Sequence, residues 1–294
     1  HATSHLLAPA DAGLLTDTAG GDRPLILVDD ELSTGQTLLN TIEALHALAP
    51  RSRYVVLALV DMRAHRDARK VQDQVQALEQ RLGTRIDVLA LAKGRTKLPE
   101  GVAQAATELL AALPAEPAGE PGSAVVRDLA VTLDVPAGGR HGIDPAQRDR
   151  LAGAMAEAAR GLAAGPDETV LVLGTEEFMA APLLLAGALT DQPGRTVRYS
   201  TTTRSPAAAI DDDGYPLRSA ITFAAPALDD DPDLSHRFAY NVRRPQGWDR
   251  IVLVVDEPQD GPRLREGHED LPGLVPLLTG CADRVDVLTV KESL

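Results

Sequence analysis

Apolar residues along the chain fall into short continuous runs, separated by polar turns and by stretches of helical period. Leu25-Ile26-Leu27-Val28 predicts a buried strand, and the polar segment Asp29–Gly35 a turn. Leu38, Leu39, Ile42, Leu45 and Ala49 then recur at helical spacing. The alternation continues with a strand at Val55–Val60 and a helix over about Arg66–Leu82. That helix has Val71, Val75, Leu78 and Leu82 on one face and Gly83 as its stop. Ile86–Leu91 predicts a third strand, and Val102–Leu113 an Ala-rich helix. Leu113–Ser123 holds three prolines and two glycines, a composition suited to a linker. Beyond it, strands are expected at Ala124–Val131, Thr169–Leu173, Val197–Ser200, Ile251–Val255 and Val285–Leu288. Helices are expected from an Asp144 cap to about Ala163 and over Glu176–Leu189. Strands alternating with helices imply α/β architecture, with parallel sheets flanked by helices. The expected division is a first domain at 1–113, a linker at 114–123 and a second α/β domain at 124–294.

Composition narrows the function classes. The 29 Lys+Arg against 43 Asp+Glu give a formal net charge of −14, which argues against nonspecific nucleic-acid binding. With one Trp, four Tyr and three Phe, the core must rest on aliphatic residues. A single cysteine, Cys281, excludes a disulfide framework and a Cys-rich metal site, and the cytoplasm is the expected compartment. No apolar stretch is long enough for a transmembrane helix, so no membrane partner is expected.

The chemistry concentrates at Asp29-Asp30-Glu31-Leu32-Ser33-Thr34-Gly35-Gln36-Thr37. In open parallel sheets ligands sit at the carboxyl ends of strands. This loop leads into a helix, whose first amides are unpaired and favour an anion. Ser33, Thr34 and Thr37 add hydroxyls, and Gly35 allows close backbone approach. Asp29 and Asp30 suit sugar hydroxyls or a hard cation held through water. A ligand with a phosphate at one end and vicinal hydroxyls at the other is a ribose 5-phosphate. A strand ending in two acids before a helix also suits ordinary capping, a metal site or an aspartyl-phosphate phosphohydrolase using Asp29. No GxxxxGK[ST] is present, which argues against a Walker-type NTPase.

The run Leu25–Thr37 resembles the phosphoribosyl pyrophosphate (PRPP) loop of type I, orotate-like phosphoribosyltransferases. The resemblance implies that Asp29 and Asp30 hold the ribose hydroxyls. Ser33, Thr34, Gly35, Gln36 and Thr37 would hold the 5′-phosphate, and Glu31 would assist catalysis. It further implies Mg²⁺ as cofactor and a base-like small-molecule acceptor. In the second half, Thr203-Arg204-Ser205-Pro206, Leu173–Met179 and Tyr215–Ala220 resemble the TRSP domain that follows such a transferase domain in bacterial proteins associated with tellurium resistance. That resemblance implies a role for Thr203, Arg204 and Ser205 in substrate binding and a place in nucleoside-like biosynthesis. The alternative is a regulatory module that binds PRPP or a nucleotide without turnover. A homo-oligomer is compatible with either reading.

The two halves also echo each other. Leu25–Val28, Asp29-Asp30 and Gly35 correspond in order to Ile251–Val255, Asp256-Glu257 and Gly261. The second domain is therefore expected to be a diverged copy of the first. Its loop lacks the threonines, and Pro258 and Pro262 lack N–H donors, so it should grip phosphate poorly. Only about 24 residues precede the first strand, so the expectation is that the front of the first domain lies outside this chain. Among further candidates, Thr201–Arg204 suits an anion clamp, and Gly174-Thr175-Glu176 a capped turn. Asp211–Asp213 and Asp229–Asp231 read as solvated turns that Arg243 and Arg244 can pair with. His1, His5 and the Arg140-His141-Gly142 loop carry no strong signal, and Cys281 has no evident partner for nucleophilic work.

Overall fold

The computed structural model describes residues 13, 23–33, 35–63, 65–113, 119–138, 143–162, 167–226 and 236–293. Thr34, His1, His5, the 139–142 loop and Asp229–Asp231 lie outside the described residues. The chain divides into two compact units, residues 1–106 and 107–294.

The first unit is a three-stranded parallel sheet in the order β1 (Leu25–Leu32), β2 (Arg53–Asp61), β3 (Arg85–Lys93). Helices α1 (Gln36–Leu48) and α2 (His65–Leu82) connect the strands. Leu38, Leu39, Ile42 and Leu45 of α1 and Val71, Val75 and Leu78 of α2 bury against Tyr54, Val56, Ala58 and Ile86. These are the helical-period positions, so the apolar stripe dictates which face each helix turns inward. The opposite sheet face is apolar and, among the described residues, uncovered. Val28 is 78% exposed and Leu91 85%, with Ile26, Leu57, Leu59 and Leu89 exposed beside them. Helix α3 (Val102–Ala112) follows, and none of its residues is buried.

The second unit is built on a five-stranded, all-parallel sheet ordered β4 (Val125–Leu133), β12 (Ala282–Glu292), β9 (Trp248–Asp256), β5 (Glu168–Gly174), β6 (Arg195–Thr201). The two-residue strand period sends alternate side chains into two separate cores. Val170, Val172, Val252, Val254, Leu288 and Val290 pack with helices α4 (Pro145–Gly161) and α5 (Ala180–Thr190). Leu171, Leu173, Ile251, Leu253, Val255, Val285 and Val287 pack on the other face. There they meet an antiparallel pair, β7 (Ala220–Ala224) and β8 (His236–Tyr240), and two short helices, α6 (Pro262–Arg265) and α7 (Leu274–Thr279). A small ribbon, β10 (Gly267–His268) with β11 (Leu271–Pro272), lies between those helices in the chain. Asp144 caps α4 in a reciprocal capping box with Gln147, as its position before the helical run predicts.

Five expectations are corrected. Leu25–Val28 is not a buried strand: β1 is an edge of its sheet, and Ile26 and Val28 are exposed. The acidic run 29–31 is not a turn: β1 continues through Leu32, because its ladder to β2 persists to the pair Leu32–Asp61. The helix expected from Glu176 begins at Ala180, because Glu176 is left-handed (φ 50°) and Thr175 bridges Phe178. The stretches forming β7 and β8 were not expected as strands; their antiparallel pairing supplies one cover of the sheet. In the expected linker, Gly122 is fixed to the second unit, its amide donating to Thr279 Oγ1 at 2.9 Å.

The echo between halves persists in one respect. β1 and β9 each have the next long strand in the chain, β2 or β12, as a parallel neighbour. The connections differ: the 13-residue α1 in one case, short helices and a ribbon in the other.

Candidate functional site

At the carboxyl end of β1 the chain passes through Ser33 and reaches Gly35, which is left-handed (φ 77°) and forms the N-cap of α1. A Cβ at Gly35 would stand 3.1 Å from Val71 Cγ1, so glycine is required both by backbone conformation and by the close approach of α2. Among the described residues no side-chain hydrogen bond caps α1, and its first turn carries no acid. Among those residues no carboxylate in the first turn neutralises the partial positive charge of the helix start. Gln36 Nε2 donates to Asn40 Oδ1 at 2.9 Å, and Thr37 is exposed.

Asp29, Asp30 and Glu31 are all exposed. Since they lie within a strand, Asp29 and Glu31 share one face and Asp30 takes the other. Each carboxylate accepts from the next amide: Asp30 N donates to Asp29 Oδ1 at 3.0 Å and Glu31 N to Asp30 Oδ1 at 2.8 Å. Among the described residues no group of three His, Cys, Asp or Glu side chains could hold a metal. Asp29 and Asp30, on opposite faces of the strand, do not converge on one point, so one carboxylate at most could join substrate phosphates around a magnesium ion.

The sequence reading missed the neighbour of this turn. Asp61, at the end of β2, pairs with Leu32, and Met62 N donates to Leu32 O at 3.0 Å. Arg63 Nε and Nη2 each reach Asp61 at 2.8 Å, and this guanidinium holds the Asp61 carboxyl below the usual carboxylate range. The pair stands at a cleft of about 350 Å³ whose polar walls include Gln72, Gln76, Glu79 and Lys93. The signal was present in sequence as an acid and a base immediately following an apolar strand.

In the second unit the expected anion clamp is already engaged. Arg204 Nε donates to Glu176 Oε2 at 2.7 Å, and the buried Arg237 donates to Glu176 Oε1 at 2.6 Å. Thr202 Oγ1 accepts from Glu176 N at 2.9 Å. Thr203 exchanges backbone bonds with Phe238, its Oγ1 accepts from Ser205 N, and Ser205 O accepts from Tyr240 Oη. The Thr-Arg-Ser-Pro segment therefore ties the end of β6 to the turn after β5 and to β8. Asp211 and Asp213 are held by Arg218, not by Arg243 or Arg244. Arg244 instead lies over the Trp248 ring at 3.8 Å, and Arg243 donates to Ala220 O. Cys281 is buried, its thiol pushed up by that burial.

Parallel strands, a glycine turn into a helix, and acids at the strand end are the layout of an α/β protein that binds its ligand at the carboxyl edge. Residues 1–95 match the family model described as phosphoribosyl transferase (PRTase_2), and residues 137–271 match that described as TRSP domain C terminus to PRTase_2. The chain thus carries a phosphoribosyltransferase-family domain followed by a TRSP domain. No curated protein and no solved structure matches it. Among the described residues, no helix is long and apolar enough to cross a membrane.

Proposed function

We propose that the first unit binds PRPP at the β1–α1 turn and transfers its phosphoribosyl group to a small nitrogenous acceptor, releasing pyrophosphate. The observation that supports this reading is the start of α1, reached through left-handed Gly35 three residues beyond Leu32, the end of the strand that carries Asp29 and Asp30. The 5′-phosphate would lie on the amides of the first turn, with Ser33, Thr34 and Thr37 adding hydroxyls. Asp29 or Asp30 would accept hydrogen bonds from the ribose hydroxyls. The strand period places them on opposite faces, so one of them faces the sugar and the other is free for magnesium. Bound Mg²⁺ would supply charge neutralisation to the pyrophosphate. The chain's own part is to fix the ribose ring while positive charge develops at its anomeric carbon. The exposed Glu31 carboxylate, on the face of Asp29, is the candidate to support that charge or to accept the acceptor's proton.

Incubating the chain with PRPP, Mg²⁺ and a panel of heterocyclic bases, and measuring pyrophosphate, tests the reading. Release that depends on both the base and Asp29/Asp30 is the expected result. PRPP binding with no release under any base would replace transfer by a regulatory binding role.

A further inference from the structure

The apolar face of the first sheet takes no part in the proposed activity. Strand alternation sends Tyr54, Val56, Ile86 and Val88 toward α1 and α2. It sends Ile26, Val28, Leu57, Leu59, Leu89 and Leu91 the other way, and these six are between 36% and 85% exposed. They form one patch. Val28 pairs with Leu57 and Leu57 with Leu89, so an apolar row crosses all three strands. Ile26 lies two residues back along the same face, and Leu59 and Leu91 two residues further on. Polar residues bound the patch at both ends. At the amino end Asp87 is held by Arg53 at 2.7 Å and by Arg85 at 2.9 Å. At the carboxyl end stand the exposed Asp30 and Lys93.

An apolar centre inside a polar rim is the anatomy of a protein interface. The area selects the partner. The six residues expose roughly 700 Å², more than the largest patch of a typical monomer and close to one partner's share of a standard interface. Two such faces together bury about 1,400 Å², within the range of specific, stable interfaces. A second copy supplies the same face at the same concentration. A two-fold axis lying between the faces stacks β2 on its own copy, about 10 Å away, and closes the assembly at two. Both sheets then have both faces covered, as parallel sheets ordinarily do. A lipid surface is a poor alternative, since the formal net charge of −14 has the wrong sign for an anionic membrane.

We infer that this face is the contact of a two-fold homodimer, sheet on sheet, centred on Leu57 and Leu59 of β2. The inference rests on the first sheet alone and does not depend on PRPP binding.

Sedimentation-velocity centrifugation of the full chain over a concentration series tests it. A reversible monomer–dimer equilibrium is expected, with a dissociation constant of about 1–100 µM. Leu59→Lys and Leu91→Lys each place an unpaired charge in the contact and should weaken dimerisation at least about 30-fold. Leu183→Lys, at an exposed position of the second unit, should leave it unchanged. In dilute solution, where the chain is monomeric, all three variants should melt close to the wild type. A chain that stays monomeric up to about 1 mM overturns the inference. So does a dimer that survives both Leu59→Lys and Leu91→Lys, a dimer that Leu183→Lys dissolves equally, or association that continues past two copies. A steep fall in the dilute melting temperature of Leu59→Lys would put the face under cover within a single chain, and also overturns it.

Discussion

The two parallel sheets of this chain solve the same packing problem to different extents. In the second unit both faces are covered, and β9 buries five consecutive residues, Ile251 to Val255, with no exposed area. In the first unit α1 and α2 cover one face, while Val28 and Leu91 lie open on the other. Parallel sheets are ordinarily buried on both faces. The second unit therefore carries a self-sufficient core, and the first pairs a half-covered sheet with the more open loop. The polar chemistry follows the same division. Asp29, Asp30 and Glu31 are exposed and ready to meet a solvated ligand, whereas Glu176 and Asp256 are enclosed.

Core truncation should expose this contrast most strongly. Leu253→Ala removes a side chain with no exposure, and a loss of about 2–5 kcal/mol is expected in denaturant unfolding of the second unit. Arg237→Ala leaves Glu176 with Arg204 alone in a mostly enclosed site. A cost on the order of 3 kcal/mol is expected, with Arg237→Lys recovering only part of it, since a lysine cannot reproduce the guanidinium geometry. A second unit that tolerates either change would remove the contrast.

Gly35→Ala probes the first unit. The left-handed backbone and the approach of Val71 together predict about 1–3 kcal/mol of destabilisation, read from the first-unit transition, and weaker PRPP binding. The smallest effect is expected on the open face. Leu91→Ser should change stability by no more than about 0.5 kcal/mol and should reduce self-association if that face meets a second copy. A large loss of stability there would show the face to be covered in solution.

Much of this architecture was legible from residue pattern. The continuous apolar runs at 25–28 and 251–255 marked strands, the second central and buried but the first an edge strand with Ile26 and Val28 exposed, and the 3.6-residue stripes at 38–49 and 71–82 marked the helices that cover the first sheet. What escaped was decided by partners distant in the chain. The extension of β1 through Asp29–Leu32 depends on pairing with β2, since acidic residues alone read as a turn. The β7–β8 pair depends on the apolar face of the larger sheet beneath it. At the candidate site, the loop 29–37 was visible in sequence, whereas Asp61 and Arg63, present as an acid and a base at the end of an apolar run, could be placed beside it only once β2 lay beside β1. In the second unit, Arg204 was visible as a candidate. Glu176 as its occupant and Arg237 as its second clamp required the fold.

The most direct test of the PRPP assignment is calorimetric titration of PRPP with Mg²⁺ into the wild-type chain and the Asp29→Asn/Asp30→Asn double variant. Both should melt at the same temperature, because these carboxylates are exposed and hold no core together. Binding by the wild type and none measurable in the variant is the predicted result. Equal affinity in the two proteins, or no binding by the wild type, would contradict it.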